Sequence, residues 1–187
     1  MAVEYRTEPD YIEYLDGEAH PKVSPRNAHG RVQLQLGSIL IACGARRYGS
    51  VATEADAVVS KRTKLIPDVS FVTFEQERSV SGPQAEEPPY APAIAIEVWS
   101  RGDSEDYLQR KFARYLSEGS QLVLDVRIET RTILAHTAMG VRTYSEHETF
   151  ECEAFPWFTF PVRDVFSVLR QAQDDSDRVK MTVTGDR

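Results

Sequence analysis

The stretch Ala93-Ile94-Ala95-Ile96-Glu97-Val98-Trp99 is apolar at every position but one. A strand with one wet face alternates apolar and polar residues, and this one does not. It therefore predicts a central strand covered on both sides. That demand constrains the fold more than any other feature, because it calls for a sheet with packed layers on both faces. It also leaves Glu97 as a carboxylate inside a core, which is costly unless the group is paired or bound to a metal.

The flanking elements can be read in order. Tyr11 to Leu15, then Asp16-Gly17, then Glu18-Ala19-His20, predict an N-terminal β-hairpin, since Asp-Gly tolerates the positive φ angles of a type I′ turn. Ser24-Pro25 predicts a helix entry. Val32, Leu36, Ile39, Leu40 and Cys43 then recur at helical spacing until Gly44. Short strands are expected at 48–52 and 57–60, and a β-rich segment at 66–74. The segment 75–92 carries Pro83, Pro88, Pro89 and Pro92 with several acids, and reads as a surface loop.

Asp103 or Ser104 predicts a cap for a second helix, with Glu105 and Asp106 at its positive end. Leu108, Phe112, Tyr115 and Leu116 form its apolar side, and Gly119 stops it. Strands are expected at 121–126, 132–136 and 141–144. Phe155-Pro156-Trp157-Phe158 and Val165-Phe166 are assigned to the core, with a subunit interface as the other use of Trp157 and Phe158. The predicted fold class is α+β, a mixed central sheet flanked by helices. One domain is expected over 1–170, with a polar C-terminal tail over 171–187.

Three residues carry the chemistry. Asp68 follows Pro67 at the head of one strand, Glu97 lies inside another, and Lys111 sits on the next helix. Neighbouring strands could bring both acids to one side of a sheet end. Two carboxylates suffice for Mg²⁺, which keeps several waters. A metal so held could activate water against a phosphodiester. Tyr107, Lys111 and Tyr115 share a helical stripe, so Lys111 could pair with Glu97, orient a water or neutralise an oxyanion. The competing reading is a structural salt bridge between Glu97 and Lys111. In that case Glu97→Ala should cost about 3–5 kcal/mol by leaving the lysine unpaired. Glu18 could be a third acid at the metal, or a solvated hairpin charge. His29, at a helix start, could touch phosphate or metal, or lie on the helix surface.

Charge weighs against this chemistry without excluding it. The net charge is −7, whereas phosphate contacts come mainly from Lys and Arg. The best local basic candidates are Lys61-Arg62-Lys64 and the stretch Arg101 to Arg114, with ordinary solvated charges as the other reading. No apolar run approaches a membrane span, and Met1 to Tyr5 opens no secretory signal. Cys43 and Cys152 have no metal-ligand spacing, so reduced thiols in a cytoplasmic protein are expected.

The ordered set Tyr14-Leu15-Asp16-Gly17-Glu18, His29, Pro67-Asp68-Val69-Ser70, Ile96-Glu97-Val98-Trp99-Ser100, Lys111 with Tyr115, and Gly119 before Leu122 to Val126 resembles the Uma family. These are restriction-endonuclease-like proteins of the PD-(D/E)XK nuclease superfamily, and the likeness spans about residues 10 to 168. It implies a DNA endonuclease using Mg²⁺ or Mn²⁺. Asp68 and Glu97 would hold the metal with a backbone carbonyl near Val98, Glu18 would be an accessory acid, and His29 and Tyr115 would lie near substrate. The superfamily places a lysine two residues after the second acid, where this chain has Trp99. Lys111 is expected to replace it from the helix. The Lys111 and Tyr115 pair resembles a Gln and Tyr motif of related nucleases. If Lys111 points away from Glu97, a degraded nuclease serving as a binding or assembly module becomes the better reading. A homodimer is expected, because two copies most simply cut two strands. No organic cofactor and no membrane association are expected.

Overall fold

The computed structural model describes residues 12–22, 27–82, 84, 87–99 and 104–169. The chain opens with β1 (Ile12–Leu15) and β2 (Glu18–Pro21), antiparallel about Asp16-Gly17. Both turn residues have positive φ, 57° and 91°, as a type I′ turn requires. The helix α1 (Asn27–Ala42) follows, and Gly44 leaves it with φ at 105°. Next come β3 (Gly49–Thr53), β4 (Ala57–Ser60), β5 (Thr63–Leu65) and β6 (Val69–Thr73). Beyond the short helix α2 (Phe74–Arg78) lie β7 (Ile94–Trp99), α3 (Glu105–Ser117), β8 (Leu122–Arg127), β9 (Thr132–Thr137) and β10 (Gly140–Ser145). The two-residue strands β11 (Thr149–Phe150) and β12 (Phe160–Pro161) pair with each other, and a last helix, α4, spans 162–169.

The principal sheet has the order β10-β9-β8-β7-β6-β3. Its described pairings are antiparallel except β7 with β8. Parallel neighbours need a crossover, and α3 lies in it. A smaller sheet, β2-β1-β5-β4, carries the hairpin.

The two-sided cover demanded by Ala93 to Trp99 is present. Ile94, Ile96 and Val98 pack with Val32, Leu36, Ile39 and Leu40 of α1 and with the late aromatics. Ala95 packs with Leu108, Phe112 and Tyr115 of α3 and with Leu15 and Leu65 of the smaller sheet. Each fully buried aliphatic or Phe side chain in these layers contributes about 1.5–3 kcal/mol. Phe155 and Phe158 are buried, and Trp157 lies edge-on to Phe71 at 5.2 Å, so these aromatics serve the core rather than an exposed interface.

The structure corrects one local expectation. The segment 75–92, expected as a loop, begins inside α2, because Thr73 and Gln76 form a reciprocal capping box. Lys61 and Arg62 form the turn of a β4–β5 hairpin, and Lys64 lies within β5. Val165 and Phe166 are buried in the core, as expected, on a helix. Ser104 caps α3 through the Tyr107 N–H, while Tyr11, Ser24-Pro25, Ser100, Arg101, Asp103 and the tail from Gln171 fall outside the described residues. Cys43 and Cys152 form no disulfide. Among the described residues no helix is long and apolar enough to cross a membrane.

Candidate active site

Strand register brings the two acids together. β6 and β7 pair Val69 with Ile96, and one further step along that ladder sets Asp68 beside Glu97. Pro67 starts the segment without an N–H, and Asp68 lies just before the first paired residue. Both side chains are buried, at 2% and 5% exposure.

Asp68 is held from three directions. The Val98 N–H donates to its Oδ2 at 2.6 Å. His29, on the first turn of α1, places Nε2 3.2 Å from the same oxygen. The Lys22 ammonium lies 2.8 Å from Oδ1. That ammonium also meets Glu54 Oε2 at 2.7 Å and donates to the Ile66 carbonyl at 2.6 Å. Gln33 of α1 ties the group to the backbone, donating to Glu54 Oε1 at 2.7 Å and to the Asp68 carbonyl at 2.8 Å.

Glu97 is held from α3. Lys111 Nζ lies 2.7 Å from Glu97 Oε1 and 2.7 Å from Glu13 Oε1. The Tyr115 hydroxyl donates to Glu97 Oε1 at 3.0 Å. Glu13 is fixed in turn by the Ile66 N–H at 2.7 Å and the Tyr107 hydroxyl at 2.7 Å. The Tyr107, Lys111, Tyr115 stripe thus faces this cluster. Lys111 is only 2% exposed.

The two acids differ electrostatically. Burial alone would raise Asp68, but the contact with His29 and the charge of Lys22 outweigh it and hold the carboxyl well below its ordinary value. Glu97 goes the other way. Burial outweighs Lys111, neighbouring Asp68 adds repulsion, and the pKa rises to about 7. Glu13 is lowered, because Lys111 overcomes its burial. Burial opposes charge on Lys111 too, yet Glu13 and Glu97 keep its pKa above the ordinary lysine value. His29 is raised, since Asp68 offsets its desolvation.

The other residues singled out in the sequence divide clearly. Glu18 stays at the hairpin tip, 61% exposed, where Arg110 contacts it at 3.0 Å and His20 at 3.7 Å. The buried hairpin acid is Glu13 instead. Its signal was available: Glu13 is in phase with Leu15, the inward residue of β1. Val98 presents its N–H to Asp68. Trp99 lies beneath the Arg127 guanidinium, 5.8 Å from it. Lys22 and Glu54 flank strands and carry no periodic signal.

The donor chemistry fits a hard divalent cation. Ligand atoms of His29, Glu54 and Asp68 all lie within 4.8 Å of one another, and Lys22 already places a positive charge among their oxygens. The expected basic surface is largely neutralised. Arg110 and Arg114 pair with Asp16, and Lys64 pairs with Asp56 at 2.6 Å.

Comparison with known proteins bears on the fold and the family. A crystal structure from Anabaena variabilis ATCC 29413, described as "a putative nuclease belonging to DUF820", superposes with a TM-score of 0.74. The match covers 84% of this chain and 90% of that one at 18% identity, which establishes a shared fold. No curated protein matches the chain. The model of the Uma2 family, described as "Putative restriction endonuclease", matches residues 2–163. This chain therefore belongs to the Uma2 family of restriction-endonuclease-type proteins.

Proposed function

We propose that the protein is a metal-dependent endonuclease that hydrolyses DNA phosphodiester bonds with Mg²⁺ or Mn²⁺. The observation that carries this reading is the juxtaposition of Asp68 and Glu97 at one strand end, with His29 and Glu54 converging on Asp68. Asp68 is the central ligand, with Glu97 and Glu54 as further oxygen donors and His29 as a nitrogen donor. A bound metal would supply water activation and stabilise charge on the phosphate.

The chain's own residues prepare that chemistry. The Val98 N–H and α1 fix Asp68, and its depressed pKa keeps it ionised. Glu97 is pushed towards its protonated form in the metal-free protein, chiefly by burial, so its use as a metal ligand would release that proton. Lys111 acts as a positioning residue, because Glu13 and Glu97 hold its ammonium between them away from solvent. Tyr115 orients the same Glu97 oxygen. A homodimer, a cytoplasmic location and a single domain over 1–170 complete the proposal.

The enclosure of Lys111 also favours a second reading, a degraded nuclease fold that binds or assembles without cutting. Incubation of supercoiled plasmid with protein and Mn²⁺ separates the two. Cleavage abolished by Asp68→Ala and by Glu97→Ala, with both variants folded, is the expected result. Full activity in either variant would sink the assignment. Binding of DNA without cleavage, weakening steeply with salt, would establish the second reading.

A further inference from the structure

Lys22 is unusual among the described cations. Its ammonium lies within 2.8 Å of three oxygens, one each from Glu54, Asp68 and the Ile66 carbonyl. Two are carboxylate oxygens and one is a backbone carbonyl, the ligand types that Mg²⁺ and Ca²⁺ select. Glu54 and Asp68 are also two of the three residues whose donor atoms converge within 4.8 Å. A lysine charge and a divalent cation cannot share so small a space without strong repulsion.

We propose that Lys22 is a built-in competitor for the divalent cation, filling the cation position at Glu54 and Asp68 until a metal displaces it. The inference rests on the metal-dependent reading above and adds its regulation.

The contrast between buried Lys111 and half-buried Lys22 shows why Lys22 is the displaceable one. Lys111 lies in the middle of α3, is 2% exposed and stays between Glu13 and Glu97. Lys22 follows the last residue of β2 and its side chain is 13% exposed. Its flexible four-carbon stem can carry the ammonium out to water without disturbing a strand or helix. Glu54 is partly exposed as well, so the position opens on the side from which an ion arrives. The ammonium occupies the space between the Glu54 and Asp68 oxygens, so metal entry has to move the side chain.

The arrangement predicts that the wild-type site binds metal weakly by design. Glu54 and Asp68 are satisfied without metal, so the metal-free fold is not destabilised by their mutual repulsion. The cost appears as reduced metal affinity. A phosphate brought to the site by substrate would offer the displaced ammonium a new anionic partner, which links metal uptake to substrate.

The test is Mn²⁺ titration by calorimetry on four full-length proteins: wild type, Lys22→Met, Lys22→Arg and Asp68→Ala. Lys22→Met keeps the stem and removes the charge, and should bind Mn²⁺ at least about tenfold more tightly than wild type. Lys22→Arg keeps the charge and should stay near the wild-type affinity. Asp68→Ala should lose binding. Thermal melts without metal verify folding, and Mn²⁺ should raise the melting temperature of Lys22→Met more than that of wild type. Equal or weaker binding by Lys22→Met, with wild-type binding still lost in Asp68→Ala, overturns the competitor and leaves the metal site standing. No binding by either wild type or Lys22→Met at millimolar Mn²⁺ overturns both. If Lys22→Met does not fold, tighter binding by Lys22→Gln supports the proposal and unchanged binding overturns it.

Discussion

Asp68 and Glu97 lie side by side, equally buried, yet one is driven towards ionisation and the other away from it. Burial opposes charge on both, so burial cannot be the difference. Supply of partners is. Asp68 draws on the Val98 N–H, His29 and Lys22, with Gln33 bracing its backbone. Glu97 shares a single ammonium with Glu13 and adds one hydroxyl. Four carboxylates, Glu13, Glu54, Asp68 and Glu97, thus face two ammoniums and one imidazole. In such a group the acid with the weakest support takes the proton. The comparison teaches that a metal-type acid pair can be built unequal, with one member always charged and the other poised near neutrality.

The largest expected effect comes from removing the shared ammonium. Lys111→Met leaves Glu13 and Glu97 buried without their common partner and should cost about 3–5 kcal/mol in urea denaturation. A loss under about 1 kcal/mol would mean that water already reaches this side of the cluster. The same geometry corrects an estimate made from sequence. Glu97→Ala was expected to unpair Lys111, but Glu13 remains 2.7 Å away. Removing Glu97 therefore leaves the lysine paired and should cost far less.

Next in size is the pH dependence of Glu97. Its folded pKa is near 7 against an ordinary 4.5, so between those values the folded chain holds a proton that the unfolded chain has released. Stability then falls as pH rises from about 4.5 to 7, by up to about 3 kcal/mol, and is flat beyond. Glu97→Gln should remove that slope. Asp68 has the opposite sign: its stabilisation is present above the ordinary value of 3.8 and is lost as pH falls through its lower folded pKa. Equilibrium unfolding of metal-free wild type and Glu97→Gln at pH 5, 6, 7 and 8 checks the Glu97 statement, and wild type carried below the ordinary Asp68 value of 3.8 checks the other. Parallel curves for the two proteins would refute the raised Glu97.

A smaller difference sharpens the contrast directly. At pH 8, Asp68→Asn should destabilise by about 1.5–3 kcal/mol, since hydrogen bonds and ion pairs to a charged carboxylate are lost. Glu97→Gln should be neutral or stabilising at the same pH, because it removes a charge that burial disfavours. If both variants lose the same stability, the inequality between the acids is wrong.

How much of this was legible in the sequence depends on which physical signal carries each part. The two-sided cover of β7 followed from an unbroken apolar run, and the hairpin turn followed from Asp16-Gly17. Periodicity also put Lys111 and Tyr115 on one stripe, and the structure brings both to Glu97. The missed residues are of two kinds. Glu13 was readable, because it shares the inward face of its strand with Leu15, whereas Glu18 beyond the turn is exposed. Lys22 and Glu54 were not readable. They lie in chain that follows a strand, where no period fixes direction; the approach of β2 to the β5–β6 connection brings Lys22 to Asp68, and the β3–β6 pairing brings Glu54. The basic stretches misled for a related reason. Sequence counts charges, whereas Asp16 and Glu18, close to Arg110 and Arg114 only in the fold, offset them together with Glu118.

The finest prediction concerns the one hydroxyl that supports Glu97. Tyr115→Phe removes a bond of 3.0 Å to Oε1 and leaves the ring within the α3 layer. The stability loss should be about 1 kcal/mol, the ordinary worth of one such bond. The informative readout is the titration rather than the melt. The hydroxyl donates to the carboxylate, so its loss weakens the charged form and should move the Glu97 transition to still higher pH. The Lys111 pair is untouched, which separates this effect from a general loosening of the cluster. Carbon-detected NMR of the Glu97 carboxyl in wild type and Tyr115→Phe, both metal-free, measures the shift. A transition that moves down instead would mean that the hydroxyl accepts a hydrogen bond from protonated Glu97 in the resting protein, and that the acid is already neutral when the two meet.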